Sequence, residues 1–324
     1  GPPFPSDVDP GYSWRFSVPY RIVVPLDGSR FGERALPSAI SLAERTGGAL
    51  DLITVATPTV APSPVRDQAM PGDESRERGK ARATEYLNEV AERIRASGYE
   101  GTLARDVIAP GNAARSIVRY LAEVDADLVV MTTHGRGAWQ RAWLGSVADG
   151  MVRQGRCPVL LLRERDAGPL SATGSPRKVV IPLDGSEAAE VAISTAESFL
   201  ESGKTTVELL LVLQEPMPMA TSYLPHAVAE GGLLEARKEK ARSYLAEIQK
   251  RLQEKGFSAE ARVISAGDAG HGILQHLERS GADMVSLATR GRGGAARLVL
   301  GSVADKVIRT APVPVLVSRR EGEA

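Results

Sequence analysis

The chain has 324 residues, 43% hydrophobic and 25% charged, with 40 Lys and Arg balancing 40 Asp and Glu. This is the composition of a soluble globular protein, and zero net charge leaves no basic field for nucleic acid or anionic lipid. No apolar run reaches the roughly 18–20 residues that span a bilayer, and the single cysteine, Cys157, lacks an internal partner, which points to a reducing, cytoplasmic setting.

Residues 1–19 show neither a charged leader nor an apolar secretory stretch and read as an extended N-terminal arm. RIVVPL, from Arg21, is a β-branched strand ending at Asp27-Gly28-Ser29. A helix, FGERALPSAISLAERTG, follows with Leu36, Ile40 and Ala43 on one face. ALDLITVATP is a strand, and a loop with Pro58, Pro62, Pro64 and Pro71 runs to about Asp73. Glu74–Ser97 is a long amphipathic helix, with Tyr86, Leu87, Val90, Ala91 and Ile94 at helical spacing. TLARDVIAPGN is a strand closing in a Gly turn, and AARSIVRYLAEVDA is a helix. DLVVMTTHG is a strand, a Gly-rich loop leads into helix 145–154, and PVLLLR is the last strand. Glu164–Pro176, rich in Gly, Pro and Ser, is a linker.

Beyond the linker the same order returns. VVIPLDGS precedes a helix, VELLLVLQEP, a Pro-rich loop over 215–232 and helix 234–255. AEARVISAGD, helix 270–280, DMVSLATRG, a loop, helix 301–310 and VPVLVSR complete the second half. RIVVPLDGS and KVVIPLDGS place Asp27 and Asp184 157 positions apart, and LGSVAD recurs with Gly145 and Gly301 156 apart. The chain is two copies of one domain, 20–163 and 177–319, with a short tail 320–324. Alternating helices and near-continuously apolar strands imply a parallel sheet covered on both faces in each copy.

Ligands of an open α/β sheet sit beyond the carboxyl ends of its strands. Three repeated elements end there. The first is Pro25 to Ser29, with Pro182 to Ser186. The second is Gly111-Asn112, with Gly267-Asp268. The third is the loop from Gly135 to Gly145-Ser146, with Gly291 to Gly301-Ser302. Glycine lets backbone approach a ligand closely, and Gly-Ser opening a helix presents free N–H groups to phosphate. Arg136, Arg141, Arg292 and Arg297 would add charge nearby. The same glycines also fit a plain loop requirement, and Asp27 and Asp184 also fit helix capping.

These residues resemble the universal stress protein family, over essentially all of both copies. The resemblance implies two tandem Rossmann-like α/β domains of the adenine nucleotide alpha hydrolase-like kind, each with a five-stranded parallel sheet flanked by helices. The family's nucleotide-binding form carries G-x2-G-x9-G-[S/T] after its fourth strand. Gly135, Gly145 and Ser146 match its later part, as do Gly291, Gly301 and Ser302, while Thr132 and Ala288 stand where the first glycine belongs. Asp27 and Asp184 match an acidic residue near ribose and phosphates, where they would also reach a Mg²⁺ carried by the nucleotide. Val55 and Val212 match a position lining the adenine pocket, with the turns at Gly111 and Gly267 beside it. The implied cofactor is ATP, with Mg²⁺. The last strands, Pro158–Arg163 and Pro314–Arg319, would pair inside the chain, so that edge needs no second copy, and association into a homodimer stays open. The implied role is a nucleotide-dependent stress-response protein. Its rivals are an interaction module with degenerate pockets and a slow ATPase.

Several features carry less. Cys157 aligns with Val313 and reads as a small hydrophobe. His134 aligns with Arg290, so nothing there demands an imidazole. Trp139 and Trp143 read as packing residues. Ser202-Gly203-Lys204-Thr205-Thr206 imitates the end of a P-loop, but it follows a helix and precedes a strand, the reverse of what phosphate binding needs. No paired Cys or His cluster suggests zinc.

Overall fold

The computed structural model describes residues 20–57, 73–133, 144–163, 175–214, 227–289 and 300–319, with backbone alone for 227–233. The arm 1–19, the tail 320–324 and most of the linker lie outside them, as do Gly135, Gly291, His134, Trp139, Trp143, Arg136, Arg141, Arg292 and Arg297. The first half runs β1 (Arg21–Leu26), a 3-10 turn (Gly32–Ala35), α1 (Leu36–Thr46), β2 (Ala49–Val55), α2 (Asp73–Ala96), β3 (Leu103–Ile108), α3 (Ala113–Glu123), β4 (Leu128–Thr132), α4 (Ser146–Gln154) and β5 (Val159–Leu162). The second runs β6 (Lys178–Leu183), α5 (Glu187–Glu197), β7 (Thr206–Gln214), α6 (Ala227–Glu254), β8 (Ser258–Ala266), α7 (Ala269–Ser280), β9 (Met284–Ala288), α8 (Ser302–Thr310) and β10 (Val315–Ser318).

All ten strands form one sheet in the order β3-β2-β1-β4-β5-β10-β9-β6-β7-β8. Neighbours within each half are parallel. The halves join where β5 and β10 run antiparallel, pairing Val159 with Val317 and Leu161 with Val315. The last strands thus close each other's edge, as the family resemblance implies. Side chains alternate along each strand, so the sheet buries two apolar faces. Ile22, Val24 and Leu26 join α1, α2, α5 and α6 in one core, and Val23 joins α3, α4, α7 and α8 in the other. Both cores run through both halves.

A two-fold set of charges locks the seam. Arg163 donates to the carbonyls of Ile308 (2.6 Å) and Ala311, at the end of α8. Arg319 mirrors it on the carbonyls of Arg153 (2.7 Å) and Gly155 (3.4 Å), at the end of α4. Each guanidinium meets the negative end of the other half's helix. Asp149 pairs with Arg153 at 2.8 Å and with Arg309 at 3.1 Å. Asp305 pairs with Arg309 at 2.9 Å and with Arg153 at 3.5 Å.

Two boundaries differ from the sequence pattern. The first helical stretch opens as a 3-10 turn and becomes α only at Leu36, with Pro37 in its first turn, where a missing N–H costs nothing. Helix α6 begins at Ala227, inside the segment that composition assigns to a loop. No proline follows Pro225 there, so nothing in the backbone forbids the earlier start. The P-loop imitation is a turn: Gly203 takes φ 79° between α5 and β7. Cys157 is half-buried, and burial pushes its thiol well above the usual range. Among the described residues no helix is long and apolar enough to cross a membrane.

Candidate functional site

The site forms where the carboxyl ends of the strands meet the helices that follow. Leaving β1, Asp27 Oδ1 accepts the Ser29 N–H at 2.9 Å and its hydroxyl at 2.5 Å. Leaving β6, Asp184 Oδ1 accepts the Ser186 N–H at 3.0 Å and its hydroxyl at 2.6 Å. Gly28 (φ 76°) and Gly185 (φ 81°) make the tight turn between them, a left-handed conformation that favours glycine. The aspartates are not themselves the caps. Ser186 caps α5 by accepting the Ala189 N–H at 3.2 Å, and Ser29 accepts the Gly32 N–H at 3.0 Å. Each aspartate fixes a serine whose hydroxyl accepts an N–H of the turn that follows.

The turn after the third strand also caps a helix. Asn112 Oδ1 accepts the Arg115 N–H at 3.0 Å, and Asp268 Oδ1 accepts that of His271 at 2.7 Å. After the fourth strand, the Gly145 N–H bonds to the Thr133 carbonyl at 2.7 Å and the Gly301 N–H to that of Thr289 at 3.1 Å. Gly145 (φ −57°) and Gly301 (φ −62°) stand at the N-caps of α4 and α8, and no side chain caps either helix. The first-turn N–H groups of α4 and α8, at Ser146 and Ser302, lie at the positive pole of the helix dipole just after the strand ends.

In the second half these elements enclose a cavity of about 1050 Å³. Pro182, Asp184, Val212, Ala288, Gly301 and Ser302 all line it. Gly267 does not: its turn reaches the wall through Ala269 instead. In the first half Pro25 and Val55 are half-buried at their strand ends, Thr132 is buried at the end of β4, and Asp27, Gly111 and Ser146 are exposed. Apolar Leu210, Ile273 and Leu287 share the cavity with the polar groups, a combination suited to an aromatic base with an anionic tail.

At two of the motif glycines the described fold leaves room for a side chain. The backbone at Gly301 is open to any residue, and among the described residues an added Cβ would meet nothing nearer than the Thr289 carbonyl oxygen at 3.5 Å. At Gly267 an added Cβ meets nothing within 4 Å. The described fold demands glycine at neither place.

Sequence reasoning missed the outer wall. Tyr244 on α6 lines the cavity and donates to Glu190 Oε1 at 3.0 Å, while Arg251 holds Glu190 Oε2 at 2.9 Å. The first half repeats this with Tyr86 donating to Glu33 Oε1 at 3.1 Å and Arg93 at 2.7 Å from Oε2. Burial, and then the neighbouring glutamate, push both phenols far above their usual range, so both stay neutral donors. The signal was available: Tyr, Glu and Arg recur at matching places in the two copies. Arg237 and Lys240, also on the wall, gave none, since they read as a solvated helix face.

As for metal, each half offers one carboxylate at the end of its first strand, Asp27 or Asp184. That suffices for a Mg²⁺ that phosphates largely carry, which needs only one or two protein carboxylates. Among the described residues no three His, Cys, Asp or Glu converge.

A family model described as the universal stress protein family matches residues 20–163 and again 176–319. A universal stress protein of Mycobacterium tuberculosis is 32% identical over 197 residues, which are 60% of this chain and 63% of that protein. The match therefore spans less than two-thirds of that relative's length. A universal stress protein of Mycolicibacterium smegmatis is 27% identical over 301 residues, 93% of this chain and 97% of its own. A solved universal stress protein from Archaeoglobus fulgidus superposes with a TM-score of 0.65 at 20% identity, covering 93% of this chain and 98% of that one, and shows the common fold.

Proposed function

The chain belongs to the universal stress protein family, and from that premise we propose that it binds an adenine nucleotide, with ATP as the leading candidate, at the carboxyl edge of the sheet in each half. The observation that carries this reading is that six of the residues singled out by sequence line one cavity of about 1050 Å³. The assignment follows from chemistry. The apolar floor around Val212 receives the base. Asp184 takes the ribose or a phosphate-bound Mg²⁺, which supplies charge neutralisation when present. The N–H groups and hydroxyl at Ser302 take the phosphates, and Gly301 leaves them room. In the first half Val55, Asp27, Gly145 and Ser146 take the same parts. Gly135 and Gly291 belong to the phosphate loop by their place in the motif.

Ala288 and Thr132 add a Cβ where the family's nucleotide-binding form has its first glycine, so phosphate sits farther from the β9 and β4 ends. The reading is one of binding rather than turnover. Among the described residues the lining offers one carboxylate, Asp184, whose Oδ1 is already engaged by Ser186, so none of them is placed as a general base. The protein would signal nucleotide level through a bound state.

Two measurements test this together: mass spectrometry of small molecules released on denaturation, and calorimetric titration with ATP and Mg²⁺. The expected result is adenine nucleotide in the released fraction or saturable binding, lost in Gly145→Val plus Gly301→Val. No released nucleotide and no heat at millimolar ATP would refute the reading and leave the interaction module.

A further inference from the structure

The basic residues of α6 fall into two groups. Lys238 and Arg242 are matched by glutamates on their own helix, Glu235 at 2.8 Å and Glu239 at 3.5 Å. Arg237 and Lys240 face the cavity instead, and among the described residues no carboxylate lies within ion-pair distance of either. Three positions apart, they share one face of the helix. They stand on the outer wall, and the cavity they border also contains Gly301 and Ser302 at the positive end of α8. Among the described residues the only carboxylate in that lining is Asp184. Among the described lining residues positive charge therefore outweighs negative, in a chain whose net charge is zero.

The first half lacks this arrangement. The Tyr86–Glu33–Arg93 and Tyr244–Glu190–Arg251 triads fix the register of α2 on α6. In that register Gly79 stands for Arg237 and Arg82 for Lys240. Gly79 is buried and has no side chain to offer. One wall carries two cations and the other carries one.

We infer that Arg237 and Lys240 recognise the anionic tail of the ligand and make the second cavity the stronger and more charge-selective polyphosphate site. This rests on the reading of that cavity as a nucleotide site. Two point charges beside a tail favour three phosphates over one. Because both side chains are exposed, the effect is screened over the roughly 8 Å Debye length of physiological salt.

The experiment is calorimetric titration of the full chain in a Gly145→Val background, which silences the first half, with ATP, ADP, AMP and inorganic tripolyphosphate in turn. Arg237→Gln plus Lys240→Gln is compared with Lys238→Gln plus Arg242→Gln, which removes equal charge from the same helix away from the cavity. The expected result is a loss of about tenfold or more in ATP affinity for the first pair, with AMP changed by less than about twofold. The second pair leaves ATP affinity unchanged, and high salt narrows the ATP–AMP gap. Equal losses for the two pairs, no loss for either, or an equal fall for ATP and AMP would overturn the inference while the nucleotide reading stands. If the parent binds tripolyphosphate but no nucleotide, and the first pair abolishes it, the nucleotide reading fails and the cation pair stands. If the parent binds neither, both fail.

Discussion

Asp51 and Glu208 occupy the same place in the two halves, the third residue of the second strand, and both are buried. Asp51 has Arg21 Nη1 3.6 Å away. Glu208 has Lys178 Nζ at 2.9 Å, Arg262 Nε at 2.6 Å and His276 Nε2 at 3.0 Å. Burial raises the Asp51 carboxyl above its usual range, and Arg21 offsets this only in part. Burial also pushes Glu208 up, but its pairing with Lys178, Arg262 and His276 outweighs it and holds that carboxyl below its usual range. The chain path is the same, yet the buried acids shift in opposite directions. A repeated fold fixes where a side chain sits, and the number of partners decides whether a buried charge there is tolerated.

The largest expected effect breaks this symmetry outright. Glu208→Ala removes the buried anion that Lys178, Arg262 and His276 share, leaving Lys178, among the described residues, only Glu260 at 3.6 Å. The second half should lose about 3 kcal/mol, the low end for breaking a buried pair because Arg262 is half exposed. Asp51→Asn removes a carboxylate that burial already disfavours, and it should change stability by under about 1 kcal/mol. Urea midpoints of the two variants measure the gap; equal shifts would show that partner number does not control the cost. Acid sharpens the same contrast. Glu208 has a lowered native pKa, so the stability it contributes is full above the unfolded value of 4.5 and is lost as pH falls through the native value. Asp51 has a raised native pKa, so as pH falls from that value toward 3.8 the native state takes up its proton first and gains stability. Hydrogen exchange followed by mass spectrometry between pH 6 and 3 should therefore show β7 and its neighbours opening before β2.

The seam predicts the opposite outcome, equality. Arg163 and Arg319 make matching hydrogen bonds to the ends of α8 and α4. Either one changed to Ala should cost about 1.5–3 kcal/mol, the range for hydrogen bonds from charged groups. Thermal melting of the two variants should agree closely. A difference above about 1 kcal/mol would mean that the geometric two-fold is not an energetic one.

What the sequence made legible follows from periodicity. Strand and helix periods and the repeat of LDGS and LGSVAD lead to the alternating layers, whereas the pairing of β5 with β10 is implied by the family resemblance rather than by any period. Charges inside apolar runs are harder to read. Glu208 within VELLLVL looks like a polar break in a strand, because its partners come from β6, β8 and α7, far away in sequence. Arg237 and Lys240 in EARKEKARSYL look like any solvated helix face. Only the cavity beside them and the glutamates that pair Lys238 and Arg242 separate the two sets. The start of α6 at Ala227 was hidden for another reason. Prolines flag a loop, but they do not say how soon after the last one a helix begins.

The smallest expected change in stability bears most directly on function, and it comes from comparing two glycines of the same cavity. Gly185 has φ 81°, so Gly185→Ala forces an L residue into the left-handed region, at about 1–2 kcal/mol. Gly301 has φ −62° and ψ 145°, and its added Cβ would make only an ordinary contact at 3.5 Å. Gly301→Ala should therefore leave stability within about 0.5 kcal/mol. If a phosphate sits against the first turn of α8, the same methyl group still lowers nucleotide affinity. A variant that melts like the parent but binds ATP less tightly would separate the needs of the ligand from those of the fold. A loss of stability matching that of Gly185→Ala would instead make Gly301 a structural residue, and its place in the motif would then say nothing about phosphate.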